Sequence, residues 1–472
     1  MDRFQHPKRR SPDLLIRVAA IGILFALVTS ASSFFRPVPL RAGAQVAPRP
    51  NIILIVVDAL RADHISSYGY ERPTTPNLDA FMAGGARFAE ATSASSWTFP
   101  SNATLLTGRM PRRIRMNDWA SLTARVPAEE LTLAEALKSN GYQTIAFVNS
   151  FFVDKQFGLN QGFDHYQRLS PSGPAAAINE LAFDWLDANP AAGQSQPLFL
   201  FMYFYDPHTW YDPPAPFDTL YDSTYTGSLT PEVYQHGEKV VSGEIVPTAR
   251  DVEHLIALYD GEITYWDQHF AQFINRLSAE GLLNNAVVVL TADHGQMFGE
   301  HGKWVHRNSL YEEVLRIPLY VRFSGVVPPG TVIDTPVFNG DVMPTVLDLA
   351  GLPVPSGMDG ASLKPLLLGN SNALGDRPIY AEMEAETDPD SLGYWIAPRY
   401  DLRSVKDDDW KYVMQIDNPQ GDALYQIDTE SVFEGQNLIA SFPTKAGALS
   451  VKLHDWFKLP TDFGFLPSVR FR

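Results

Sequence analysis

Two short runs of almost unbroken apolar, β-branched character each stop at an acidic residue. Asn51-Ile52-Ile53-Leu54-Ile55-Val56-Val57 ends at Asp58, and Ala286-Val287-Val288-Val289-Leu290-Thr291 runs through Ala292 into Asp293-His294-Gly295. Runs of this length without polar alternation are strands covered on both faces, which points to an α/β fold: a mostly parallel sheet with helices on both faces. In open sheets of that kind, ligands gather beyond the carboxyl ends of the strands. Two strands that each deliver a carboxylate there make a plausible cage for a divalent cation. Either acid alone reads equally well as a helix cap or a turn residue, because Asp is favoured at both places.

A further oxygen donor is found in Ser95-Ser96-Trp97-Thr98-Phe99-Pro100-Ser101-Asn102-Ala103-Thr104-Leu105-Leu106-Thr107-Gly108. A threonine hydroxyl is a weak nucleophile that works only when a base or a metal lowers its pKa. Asp58, Asp293, His294 and the Thr98 oxygen form a mixed oxygen and nitrogen set, suited to zinc or manganese more than to calcium. The segment resembles the nucleophile segment of the sulfatases, Cys-x-Pro-Ser-Arg followed by a small-apolar run and Thr-Gly, in which the Cys becomes a formylglycine. Here Thr98 stands at the Cys position and Asn102 at the Arg, and the chain has no cysteine. No formylglycine is therefore expected. Asp58-Ala59-Leu60-Arg61-Ala62-Asp63-His64, the Thr98 segment and Asp293-His294-Gly295 follow the order and approximate spacing of the sulfatase branch of the alkaline phosphatase superfamily. One departure is Ala59, where sulfatases usually carry a second Asp.

Two histidines add to this reading. His208 follows the apolar run Leu198 to Tyr203, at a position similar to the sulfatase histidine beside the leaving group. His306 stands where sulfatases usually have Lys, and its spacing from Asp293-His294 resembles that of the phosphoethanolamine transferases, which use a Thr nucleophile. The resemblance implies Thr98, His208 and His306 as catalytic residues. It implies Asp58, Thr98, Asp293 and His294 as metal ligands, and His208, His306, Asn102 and Lys303 as groups for a second metal or the substrate anion, with Arg307 beside them. His64, His269 and His301 read as structural.

Arg3, Lys8, Arg9 and Arg10 precede the apolar run Val18 to Val28, as in a signal peptide or signal anchor, so an extracytoplasmic site with a possible single membrane anchor is expected. The first fifty residues hold eight Lys or Arg against two Asp or Glu, while the whole chain of 472 residues carries −17, so the remainder is strongly acidic. That excludes a general nucleic-acid surface and leaves anion capture to local cations in a pocket. The expected division is a signal and linker over 1–50, a catalytic domain over 51–372 and a small antiparallel α+β subdomain over 373–472.

Helices are expected from a start capped by Asn77, after Thr98, over Leu131 to Ser139, over Val252 to Ala279, from Asp341, and near Lys445 to Phe457. Gln143 to Val148 is a further buried strand, and Tyr400 to Val405, Trp410 to Met414 and Ala423 to Asp428 are short strands. Substrate contacts are expected from loops such as Asp212 to Ala249 and Glu382 to Pro398. The leading reading is a metal-dependent hydrolase of phosphate, phosphonate or sulfate esters working through a covalent Thr98 intermediate, with phosphoryl chemistry preferred and a small-molecule, glycan or lipid ester as substrate. The alternatives are a phosphoethanolamine- or phosphoglycerol-type transferase, a sulfuric ester hydrolase, and a binding protein without chemistry.

Overall fold

The computed structural model describes residues 48–458 apart from 115, 117–122, 171, 232–236, 386–399 and 428–432. The expected signal segment, most of the linker after it and most of the Glu382 to Pro398 loop lie outside the described residues. Among the described residues no helix is long and apolar enough to cross a membrane.

The main sheet contains β1 (Asn51–Val57), β2 (Ala86–Thr92), β3 (Gln143–Val148), β4 (His165–Arg168), β5 (Leu198–Phe204) and β6 (Ala286–Ala292). After the small hairpin of β7 (Met297–Phe298) and β8 (Trp304–Val305) come β9 (Arg316–Phe323), β10 (Thr331–Ile333) and β11 (Val337–Phe338). The order is β10-β2-β9-β6-β1-β5-β3-β4, with β11 also on β2. Within this sheet the described pairings are parallel except those of β9, which runs against both β2 and β6. Every residue of β1, β5 and β6 is buried, as continuous apolar runs require.

The helices that matter for the site are α1 (Pro76–Met82), α2 (Thr98–Thr107), α3 (Leu133–Ser139), α4 (Ala175–Ala188), α5 (Ala249–Ala279) and α6 (Val342–Leu349). Thr132 and Glu135 close a capping box on α3, and Thr248 and Asp251 one on α5, so both helices begin where a side chain satisfies the first free amides. Asn77 does not cap α1. The helix starts at Pro76, and the Asp267 carboxylate of α5 accepts from the amides of Asn77 and Leu78 and from the Asn77 side chain. A neighbouring helix thus supplies the acceptor that the local sequence was expected to supply.

The smaller sheet has four antiparallel strands where three were expected: β12 (Ile379–Ala385), β13 (Tyr400–Asp407), β14 (Trp410–Gln415) and β15 (Ala423–Gln426), backed by α7 (Pro443–Lys458). Glu382, expected in a substrate loop, sits instead in β12, fully buried against Arg403. Leu449, Leu453 and Trp456 of α7 join Val405, Tyr412 and Leu424 in a core that also takes in Ala94, Met110 and Phe338 from the larger sheet's side.

An ion triad reinforces that junction. Lys411 Nζ of β14 lies 2.6 Å from both Glu312 and Glu434, all three buried, and Glu434 also accepts from the Glu312 amide at 2.9 Å. Desolvation opposes the Glu312 charge, but Lys411 and Lys406 overcome it and hold its carboxyl at about 2. Removing the ammonium leaves buried carboxylates uncompensated. Lys411→Met should therefore cost about 3–5 kcal/mol of stability, read as a lower urea midpoint. A midpoint equal to wild type would show that the triad contributes nothing net.

Candidate active site

β1 and β6 are adjacent, parallel and in register, with Val57 opposite Ala292. The next residues are Asp58 on one strand and the Asp293-His294 pair directly after the other, so register alone brings the two acids together. The ladder continues one step past β1, where the Asp58 amide donates to the Phe204 carbonyl at 2.9 Å. Ligand atoms of Asp58, Asp293 and His294 lie within 4.8 Å of one another, all buried.

The two carboxylates are treated very differently. Asp293 Oδ1 accepts from the amides of Ala59 (3.2 Å) and His294 (2.9 Å), and Oδ2 accepts from Tyr203 (2.7 Å) and Asn102 (3.1 Å). Asp58 is fully buried and neither of its oxygens has a hydrogen-bond partner. Burial, with the Asp293 charge added, pushes its carboxyl well above the usual range. A buried carboxylate without a donor is costly unless a cation completes it.

His294 fits the same requirement. Its Nδ1–H donates to the Gly295 carbonyl at 2.8 Å, which places the lone pair of the neutral ring on Nε2. That nitrogen is 3.5 Å from Asp58, 3.7 Å from Asp293 and 3.3 Å from Thr98 Oγ1. An acceptor facing three oxygens suits a divalent cation, which Asp58, Asp293, His294 and Thr98 would hold. The residues therefore fit the metal that the sequence implied.

Thr98 is the first residue of α2, with Trp97 in extended conformation before it, so its hydroxyl sits at the positive end of a buried ten-residue helix. Pro100, in the first turn, removes no intrahelical hydrogen bond. Asn102, one turn on, donates from Nδ2 to the Thr98 carbonyl (2.9 Å) as well as to Asp293, tying the Thr98 helix to the Asp293 carboxylate. The Ser93 and Ser101 hydroxyls grip the Asp293 carbonyl from below.

His306 stacks on His294 with ring centres 4.3 Å apart, and His208 meets His306 edge-on at 4.9 Å. Each is oriented through Nδ1: that of His306 donates to Gln296 Oε1 at 2.7 Å, and that of His208 to the Thr209 carbonyl at 2.9 Å. Burial first, then His294, His208 and Arg307, hold His306 well below the ordinary histidine pKa, so its ring is neutral at pH 7. Val305 and Arg307 on either side have φ of 60° and 66°, a region that β-branched and bulky residues rarely adopt. The Arg307 amide donates to Ser96, and its guanidinium lies 4.3 Å from the Trp97 ring centre. Burial brings that guanidinium down to about 10, still charged at neutral pH.

The structure thus brings together Asp58, Thr98, Asn102, Asp293, His294, His208 and His306. Lys303 lines a cavity of about 170 Å³ with Asn308, Tyr311 and Tyr425, against the smaller sheet. His64 and His301 are bonded to Asp260 and Glu313, and His269 packs on Tyr265. Sequence reasoning missed Tyr203 and Gln296. Tyr203 lies inside an apolar strand and looks like core, whereas Gln296, two residues after His294, carried a positional signal that went unused.

The family profile named Sulfatase matches residues 50–352, and one described as N-sulphoglucosamine sulphohydrolase, C-terminal, matches 299–440. An ulvan-active sulfatase of Formosa agariphila is 25% identical over 434 residues, spanning 86% of this chain and 80% of its own. An arylsulfatase of Clostridium perfringens is 27% identical over 384 residues, spanning 68% and 78%. The solved phosphonate monoester hydrolase of Silicibacter pomeroyi shares the fold with a TM-score of 0.68 at 21% identity, over 87% of this chain and 95% of its own.

The donorless Asp58 carboxylate generates a measurable expectation. In chelator-treated protein, Asp58→Asn should raise the melting temperature, because it removes a buried charge. The wild type alone should then gain stability with added Mn²⁺ or Zn²⁺, about 2.7 kcal/mol at a hundredfold excess over Kd. An unchanged metal response in the variant would remove Asp58 from the ligand set. With the profile match over more than half of its length and its metal-ready site at the carboxyl ends of β1 and β6, the chain belongs to the sulfatase family of hydrolases.

Proposed function

We propose that the protein is a metal-dependent hydrolase of phosphate or phosphonate esters that uses Thr98 as its nucleophile. The observation that carries this reading is Thr98 Oγ1, 3.3 Å from His294 Nε2 and at the first turn of α2, beside a carboxylate that has no protein donor. Thr98 also bears a methyl group on the carbon that would have to become an aldehyde, so the formylglycine chemistry associated with sulfatases is not available to it.

A divalent cation held by Asp58, Asp293 and His294 supplies a lowered pKa for the Thr98 hydroxyl and partial neutralisation of the ester's charge. Thr98 Oγ loses its proton to solvent and attacks phosphorus in line with the leaving alcohol; the new P–O bond forms as the ester P–O bond breaks. The departing oxygen takes a proton from His208, which lines an open cavity beside the reacting centre. His306, kept neutral, positions His208 through their edge contact. Arg307, cationic next to Trp97, balances the anion. Water then attacks phosphorus, releases phosphate or phosphonate, and returns Thr98 as the alcohol.

A second reading, hydrolysis of sulfate esters, is favoured by the likeness to the Formosa ulvan-active sulfatase and the Clostridium arylsulfatase. We also place the enzyme outside the cytoplasm, on the strength of the basic and apolar segments of residues 1–50, which fractionation of the full chain would test. The function is tested with 4-nitrophenyl phosphate, bis-4-nitrophenyl phosphate, 4-nitrophenyl phenylphosphonate and 4-nitrophenyl sulfate in the presence of Mn²⁺ or Zn²⁺. The phosphorus esters should be cleaved, and Thr98→Ala should lower turnover at least about a thousandfold. Cleavage of the sulfate alone would overturn the phosphoryl preference, and an active Thr98→Ala variant would overturn the nucleophile.

A further inference from the structure

Next to His208 lies a cavity of about 760 Å³, within the range of a small-molecule site. Its wall includes Tyr205, Asp206, His208, Trp210, Glu262 and Tyr265. His208 therefore belongs at once to this cavity and, through its contact with His306, to the reacting centre. A leaving alcohol protonated by His208 must extend into the space that His208 faces.

The chemistry of the wall is one-sided. Asp206, Glu262 and Asp212 contribute three carboxyl groups, and the described lining contains no Lys or Arg. Glu262, on α5, accepts from the Asp212 amide at 2.9 Å through Oε1. Asp206 is 7% exposed, lies toward the first amide of α4 and faces the Glu262 carboxyl, yet its Oδ2 has no hydrogen-bond partner. Two acids packed against each other in a nearly dry wall, one of them with an oxygen lacking any donor, call for a ligand that brings both positive charge and N–H groups. Around them stand the rings of Tyr205, Tyr265 and Trp210, the last 45% exposed at the rim. Aromatic faces beside carboxylates are the usual surroundings of a bound ammonium, whose charge the rings attract and whose hydrogens the carboxylates accept. An anionic alcohol part, such as a further sulfated or phosphorylated sugar, meets repulsion from the same wall.

We propose that this cavity seats the alcohol part of the ester and selects alcohols that carry an ammonium group, which Asp206 and Glu262 receive between the rings of Tyr205, Trp210 and Tyr265. The assignment rests on the ester-hydrolase reading only for the direction in which the leaving group points.

Binding is tested first, without turnover, by calorimetric titration of the full chain with benzylamine and with its neutral isostere benzyl alcohol. Saturable binding of benzylamine at least about tenfold tighter than benzyl alcohol is expected, with that ratio collapsing toward one in Asp206→Asn and in Glu262→Gln. Equal affinity for the two probes, or a ratio that survives in both variants, overturns the proposal. The second measurement compares kcat/KM for the 4-(aminomethyl)phenyl and 4-(hydroxymethyl)phenyl esters of phosphate and sulfate. A preference of at least about tenfold for the amine ester, expressed in KM and lost in the variants, supports it. Cleavage of 4-nitrophenyl phosphate without any amine preference sinks the pocket assignment and leaves the hydrolase reading intact. Selective benzylamine binding without cleavage of any ester leaves the pocket in place and sinks the hydrolase reading.

Discussion

Two negative charges brought side by side in a place without water are the constraint around which this protein is organised. Parallel pairing of β1 with β6 puts Asp58 and Asp293 at neighbouring strand ends. The fold answers only one of them with protein donors. Tyr203, Asn102 and two backbone amides converge on Asp293, while the Asp58 oxygens have no hydrogen-bond partner. Much of the surrounding order follows from that division. The helix bearing Thr98 is fastened to the satisfied carboxylate by Asn102, and the strand ends are locked by Ser93 and Ser101 beneath it. Coulomb attraction in so dry a setting is strong, so a single ion bound there would draw together donors from three separate parts of the chain.

The three imidazoles repeat one device. In each, Nδ1 is committed to an oxygen of the chain, so Nε2 is the nitrogen left for chemistry or ligation. His294 stacks on His306 at 4.3 Å and His208 meets His306 edge-on at 4.9 Å, so the charge on one ring bears on the next. Burial and its neighbours settle the question for His306, which stays neutral. His208, at the open end, is the ring with access to substrate and solvent. The left-handed backbone at Val305 and Arg307 flanks His306 where that order is imposed, the kind of local strain that concentrates at functional sites.

How much of this could be read from the amino acids alone depended on whether the signal was local. The doubly buried strands, the acids that end them, the Thr98 helix and the long α5 were legible because hydrophobic period and strand-end position are properties of a few consecutive residues. What escaped was decided by residues far apart in the chain. Tyr203 has the sequence surroundings of core and acquires its role only when β5 pairs with β1. Asn77 looked like a cap because nothing nearby announced that Asp267, on α5, would take that place. β12 was missed since Glu382 interrupts its apolar pattern, and that charge is tolerated only because Arg403 of the next strand meets it. The cavity at Asp206 and Glu262 joins the end of β5 to the middle of α5, a proximity that no spacing discloses.

The uncovered Asp58 oxygens have a bearing on the life of the protein before it ever meets a substrate. On the proposed metal reading, a chain that completed its sheet without capturing an ion would keep two acids packed at the centre of its core, and would open locally more often than its loaded counterpart. Proteases and chaperones act on such openings. Metal supply would thus decide which molecules survive as well as which ones work, and the population that accumulates would be enriched in metal-loaded copies through a device as small as two oxygens left unanswered.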